Sequence, residues 1–206
     1  TRPLNDREIK RASMRGSTLK QTPIAIDGLV FFANNNLPIS PNLNLEQISK
    51  IYRGEINNWD QISSRAGNIP IVPIFLDSED INVLGLKQPS AFARQVSNYN
   101  QLLSQVTSTP GAISFLSASL IQKQQPVKIF SLADGDCPSN YIPGLINGQP
   151  NLEAFQDGSY SLTRKLFVIY KQDLTFEQNA GETYVNFLNK KGQKTIEQAG
   201  FVPLRL

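Results

Sequence analysis

Two long apolar runs dominate the pattern of hydrophobic and polar positions along the chain. PIAIDGLVFFA (23–33) and LTRKLFVIYK (162–171) are rich in β-branched and aromatic residues, and polar residues follow each of them. Runs of this kind predict extended strands, the first of them buried on both faces. Shorter apolar runs predict further strands at 70–75, 109–121 and 126–132.

Helical spacing of apolar residues predicts helices between these strands. Asn5 followed by Glu8 is typical of a capping box, and Gly54 supplies a C-terminal stop. The predicted helices cover 5–15, 42–54, a short segment through Leu86 that Asp80 caps, 90–106, 176–189 and 190–199. A tight turn with a buried Trp59 and a loop-rich stretch at 133–160 complete the pattern. Strands that alternate with helices predict an α/β protein with a largely parallel sheet.

The charge distribution divides the chain into two parts. Residues 1–25 and 164–206 together have a net charge of +7, whereas residues 26–163 have −4, within an overall charge of +3. Both changes of sign fall at the two long strands. We therefore expect lobe I from residues 1–25 plus 164–206 and lobe II from residues 26–163. The two strands would form a hinge, with a ligand cleft between the lobes.

Composition limits the chemistry that this chain can perform. It contains no histidine and a single cysteine, Cys137, which excludes Ser-His-Asp and Cys-His sites, His-ligated zinc and a disulfide within these residues. Cys137 lies in a turn-like stretch and is interpreted as an incidental thiol. No apolar run approaches the roughly 20 residues that span a bilayer. The basic ends are interleaved with acids, which favours solvated helix faces over a nucleic-acid surface.

An acidic turn, FLDSEDIN (75–82), lies between a predicted strand and a predicted helix. In α/β proteins such turns hold ligands, and helix N-termini favour anions. The acidic residues leave three readings open: a cation site, an anion site that has lost its function, or a solvated helix cap. Asp77, Glu79 and Asp80 would supply carboxylates for an enzyme or a hard cation, but the spacing and glycine of a calcium loop are missing. We expect no metal, no cofactor and no enzymatic activity.

Several segments resemble, in order and spacing, the phosphate-binding protein of bacterial ABC phosphate importers in its cyanobacterial-type form. They are TRPL at the start, LEQISKIYRGEINNW, TPGAISFL, LTRKLFVIYK and LNKKGQKTIEQAGFVPL. The resemblance implies a class II periplasmic-binding-protein fold, whose two α/β lobes close on an anion. The first strand, helix and ligand loop of that family have no counterpart here, so lobe I is expected to be incomplete. The chain is therefore either cut from a longer protein or completed in some other way.

The resemblance also implies where an anion would bind. Thr1 matches a Ser/Asp position of the family, and Asp80, Ile81 and Asn82 fall where Ser-Gly-Thr would be, while Leu76 falls where an arginine would be. A carboxylate about 4 Å from a phosphate charge costs on the order of 4 kcal/mol at an effective dielectric of about 20. High-affinity phosphate binding is therefore not expected unless Asp80 turns away as a cap. The expected ligand-binding residues are Thr1, Ser78, Asp80, Ile81 and Asn82.

Two functions follow from this reading. The first is a periplasmic or extracytoplasmic solute-binding protein, which takes phosphate or a related small solute and delivers it to an ABC transporter permease. The second is a non-transport sensor or partner-binding domain linked to a membrane protein, with phosphate binding altered or lost. The missing arginine and Ser-Gly-Thr residues favour the second function, and the overall resemblance favours the first.

Overall fold

The computed structural model describes residues 3–76, 81–86, 88–121, 126–133 and 140–204. Its helices are α1 (Asp6–Met14), α2 (Leu45–Arg53), α3 (Tyr99–Ser108), α4 (Leu152–Asp157), α5 (Phe176–Lys190) and α6 (Gln193–Gln198). Its strands are β1 (Leu19–Asn34), β2 (Asn42–Asn44), β3 (Val72–Phe75), β4 (Arg94–Gln95), β5 (Ala112–Ser117), β6 (Val127–Ile129), β7 (Ser131–Ala133), β8 (Ile142–Pro143), β9 (Leu145–Ile146), β10 (Gln149–Pro150), β11 (Thr163–Lys171) and β12 (Val202–Pro203). Within these ranges, no helix has both the length and the apolar character needed to cross a membrane.

The main sheet confirms the α/β class but corrects the expected strand directions. Its order is β11-β1-β5-β3-β4, and β6 and β12 also pair with β1. Every partner of β1 runs antiparallel to it. The parallel pairs in this sheet are β3 with β5 and β3 with β4. The prediction of a largely parallel sheet is therefore wrong. Within the main sheet, parallel pairing is confined to β3 and its two neighbours; in the separate three-stranded sheet, β2 pairs in parallel with β7.

Strand β1 joins two parts of this seven-stranded sheet, a first sheet with β11 and β12 and a second sheet with β5 and β6. Its first part pairs with β11, up to Gly28 opposite Thr163. From Leu29, which lies opposite Ser117, its second part pairs with β5 and then with β6. Both long strands expected from the sequence are therefore confirmed, with β1 extended at its start. The proposed lobe boundaries at residues 25/26 and 163/164 stay a prediction.

The core is built on the second part of β1. Residues 29–33 are almost completely inaccessible to solvent. Trp59 is fully buried as expected; its Nε1 donates a hydrogen bond to the Gly111 carbonyl at 3.0 Å, and its ring stacks on Phe130. Burial of such large side chains supplies most of the hydrophobic stabilisation.

Local capping signals set the starts and ends of the first two helices. The Asn5 side chain and the Glu8 carboxylate form the expected capping box of α1. In α2, Asn44 and Gln47 form a second capping box, so the helix begins at Leu45 and residues 42–44 extend as β2 instead. Gly54 ends α2 with a left-handed φ of 79°.

Three predicted segments differ in the structure. The helix expected over 90–106 begins only at Tyr99, because the Asn98 side chain caps it and Arg94–Gln95 pair with β3. The strand expected over 126–132 is divided between β6, which pairs with β1, and β7, which pairs with β2. The stretch expected as loops at 133–160 contains the short helix α4. In each case, strand pairing with distant residues or a cap at the start of a helix determined which secondary structure formed.

The segments around α1, α5 and β11 expose apolar side chains. Helix α1 buries none of its residues. Leu174 and Phe176 are 92% and 85% exposed, and Met14 is 76% exposed. Strand β11 lies at the end of the sheet order and contains no buried residue. The well-packed core therefore lies in the part of the chain that was assigned to lobe II.

Substitution of Gly28 tests the packing at the point where β1 changes its pairing from β11 to β5. A Cβ atom at this position would lie 2.2 Å from two ring carbons of Phe155, which is itself buried. We expect Gly28→Ala to lower the free energy of unfolding by about 1–3 kcal/mol, because the ring must shift within a close-packed core. Urea titration followed by circular dichroism measures the change.

The double variant Gly28→Ala/Phe155→Leu is the control for this mechanism. If the ring causes the penalty, Gly28→Ala should cost clearly less in the Phe155→Leu background than alone. Additive effects within about 0.5 kcal/mol would show that the two positions do not interact and would contradict the assignment.

Candidate functional site

The structure describes only the two ends of the predicted ligand turn, Leu76 on one side and Ile81 and Asn82 on the other. Leu76 follows β3 and is half-buried, and its carbonyl accepts a hydrogen bond from Gln95 Nε2 at 3.4 Å. Ile81 is 1% exposed and belongs to the main core. Asn82 is exposed. The Ile81 side chain is therefore packed in the core and is not available to a ligand, whereas Asn82 is accessible to solvent.

The helix expected through Leu86 begins outside the described residues; Ile81 is helical, and a 3-10 turn, Asn82–Leu84, follows it. Gly85 ends it with a φ of 70°, and the Gly85 N–H donates to the Asn82 carbonyl at 3.0 Å. A left-handed residue at this point stops a longer helix from forming.

A pocket of about 530 Å³ adjoins the end of this turn. One face of α2 forms a wall, because Leu45, Ser49 and Arg53 are spaced four residues apart. The remaining lining residues are Glu46, Val83, Leu84, Gly85 and Leu162. The pocket is thus bounded by α2, by the 3-10 turn and by the residue that precedes β11.

The polar side chains of this pocket already have partners. Arg53 Nε donates to Glu55 Oε1 at 2.7 Å, and Lys50 Nζ lies 2.7 Å from Glu46 Oε1. The hydrogen bond to Glu46 raises the pKa of Lys50. Ser49 Oγ donates to the Leu84 carbonyl at 3.4 Å. Since the charges are neutralised in pairs, the pocket does not present a concentrated positive field for an anion.

Sequence reasoning missed the α2 side of this pocket. The spacing of Leu45, Ser49 and Arg53 on one helix face was visible in the sequence, but nothing local indicated that Leu162 would close the same space. Leu162 lies near α2 and the 3-10 turn because it precedes β11, which pairs with β1.

The other predicted site residues lie outside the described residues. These are Thr1, Ser78 and Asp80, together with Asp77 and Glu79 of the carboxylate reading and the lone thiol Cys137. The expected contacts of Thr1, Ser78, Asp80, Ile81 and Asn82 with a ligand therefore stay a prediction.

Comparison with known proteins places this geometry in a family. A family model described as a PBP superfamily domain matches residues 1–191. Among curated relatives, the phosphate-binding protein PstS of Staphylococcus aureus (strain bovine RF122 / ET3-1) is 22% identical over 213 residues. That match covers 98% of this chain and 61% of the relative. The chain thus spans about three-fifths of the length of such relatives.

Solved structures show the same fold. A Clostridium perfringens protein, described as a candidate substrate-binding protein of a phosphate ABC transporter and solved with bound phosphate, superposes with a TM-score of 0.74 at 22% identity. It is matched by 100% of this chain over 77% of its own length. An ABC-type phosphate transport receptor of Vibrio cholerae gives a TM-score of 0.74 at 20% identity, over 98% of this chain and 77% of that protein. The fold is therefore the two-lobe fold of periplasmic binding proteins, and because the family model matches most of its length, the chain belongs to the PBP superfamily.

Proposed function

We propose that this chain acts as a solute-binding protein of the ABC phosphate-importer type, binding phosphate or a related small solute between two lobes. One observation carries the proposal: almost the entire chain superposes on proteins described as phosphate-binding components of ABC transporters. Such a protein works outside the cytoplasm and passes its solute to a membrane permease. Its role is to bind and release the solute unchanged rather than to catalyse a reaction.

The proposed ligand contacts are divided between side chains and backbone. Thr1 and Ser78 would donate hydroxyl hydrogen bonds, and Asn82 would donate from its exposed amide. Ile81 is buried and would contribute its backbone N–H. Asp80 would either accept a hydrogen bond from a protonated phosphate oxygen or turn away as a helix cap.

A second candidate function is a sensor or partner-binding domain in which phosphate binding is weakened. Two observations favour it. Leu76 stands where the resemblance places an arginine, and the arginine of the adjoining pocket, Arg53, is held by Glu55. Neither supplies the free positive charge that tight oxyanion binding uses. The two functions are distinguished by whether phosphate binds and by which partner the full-length polypeptide contacts.

Isothermal titration calorimetry of the full-length polypeptide with inorganic phosphate tests the first function. We expect saturable heat with a dissociation constant in the micromolar to millimolar range, roughly −8 to −4 kcal/mol. Sulfate is the matched control, because it has no proton to donate to a carboxylate at neutral pH. The absence of heat at millimolar phosphate would contradict the transport-type function and favour the sensor.

Leu76→Arg tests the proposed position of the anion site. Leu76 is half-buried at the end of β3, so a longer side chain can reach solvent there, whereas Ile81→Gly would leave a cavity in the core. A new hydrogen bond from a charged donor is worth about 1.5–3 kcal/mol, so we expect phosphate to bind roughly 10- to 150-fold more tightly. Leu76→Gln, which has no charge, is the control. Equal affinity in the wild-type, Arg and Gln proteins would show that the residue alignment is wrong.

A further inference from the structure

The point where β1 changes partners is held by one carboxylate. Asp27 lies on β1 directly opposite Arg164 of β11, and Leu29, two residues later, lies opposite Ser117 of β5. The Asp27 side chain is 2% exposed. It therefore lies at the junction between the sheet of the first lobe and the sheet of the second.

Each oxygen of this carboxylate bonds to a different sheet. Oδ2 accepts a hydrogen bond from Arg164 Nε at 3.1 Å, within an ion pair. Oδ1 accepts a hydrogen bond from Ser117 Oγ at 2.5 Å. A rotation of one sheet against the other would break one of these two bonds and leave a buried charge less well paired, which is strongly unfavourable.

Neighbouring contacts extend the same junction. Ser117 Oγ and Ser119 Oγ are 2.7 Å apart. Gly200, between α6 and β12, packs so closely on Ser119 that an added Cβ would lie 2.9 Å from the Ser119 Cα. The connection after β5 thus touches a turn that belongs to the C-terminal part of the chain.

The backbone of β1 is fixed at the same place. The Leu29 N–H donates to the Leu162 carbonyl at 2.8 Å, and the Tyr160 hydroxyl donates to the Leu29 carbonyl at 2.8 Å. Burial raises the pKa of Tyr160, so this hydroxyl stays a donor. Backbone and side-chain bonds together make the crossing of β1 and β11 a well-connected joint.

From this geometry we infer that Asp27, with Arg164 and Ser117, is a positioning residue that limits the relative orientations of the two lobes. The joint holds the lobes near the arrangement that receives a solute, so less conformational freedom is lost on binding. The inference depends on the two-lobe fold and not on the identity of the solute.

Distances between the lobes in the solute-free protein test this inference. Nitroxide labels are placed at Ser104 on α3 and Lys190 on α5, two exposed positions, in the full-length polypeptide with Cys137→Ser and any further cysteine replaced. Pulsed electron paramagnetic resonance then gives the distribution of label distances. We expect Asp27→Asn and Ser117→Ala each to widen that distribution by at least about 1.5-fold, because one sheet is released from the carboxylate.

Lys20→Gln is the matched control. It removes another ion pair on β1, Lys20 with Glu182 at 3.7 Å, which is exposed and does not involve the joint. Its distance distribution should equal that of the wild type. If Asp27→Asn does not fold, Ser117→Ala, which removes a single oxygen, decides the question. A distribution as narrow as that of the wild type in the folded variants would overturn the inference, even if their melting temperatures fall.

Solute binding provides a second, separate measurement. If phosphate binds to the wild type, we expect its affinity for Ser117→Ala to fall roughly three- to tenfold, because fewer molecules hold the competent orientation. If phosphate does not bind to the wild type, the proposed function fails, while the distance measurement still decides the role of Asp27. A widened distribution with unchanged affinity would contradict the link between the joint and binding.

Discussion

The continuous pairing of β1 is the constraint on which the rest of the structure depends. A strand that is buried over most of its second part must satisfy every backbone N–H and carbonyl, and β1 does so with four different strands. Because these partners come from distant parts of the chain, the two sheets can form only when the whole chain has folded around β1. The main core, the pocket beside α2 and the joint at Asp27 all depend on this arrangement.

The described residues beside the candidate turn do not form a positively charged site, and the turn itself contains three acidic residues. Leu76 and Ile81 pack in the cores, Lys50 pairs with Glu46 within α2, and Arg53 pairs with Glu55 just after it. Affinity for an oxyanion at this place would therefore come from backbone N–H groups, hydroxyls and the closing of the lobes. Binding by a preorganised cleft relies on low reorganisation more than on net charge.

Features that depend on near neighbours in the chain were predictable from the sequence. The capping box at Asn5, the stop at Gly54 and the burial of Trp59 each follow from residue types within a few positions. Features that depend on distant partners were not. The pairing of Arg94 with β3 replaced the first part of a predicted helix, and the division of residues 126–132 between two sheets replaced one predicted strand by two. The spacing of Leu45, Ser49 and Arg53 indicated a common helix face, but nothing in the sequence indicated that Leu162 would close the pocket beside it.

The bulge between Pro23 and Ala25 shifts the pairing register of β1 with β11 by one residue. Before the bulge, Pro23 lies opposite Phe167, and after it, Ala25 lies opposite Leu166, so the pairing of odd and even positions is reversed. This reversal directs Asp27 to the face on which it meets Arg164 and Ser117. Removing or adding one residue between Leu19 and Asp27 would turn the carboxylate to the opposite face. An insertion or deletion in this stretch would therefore misplace the carboxylate, whereas a substitution at one of its exposed positions would leave the carboxylate on its face.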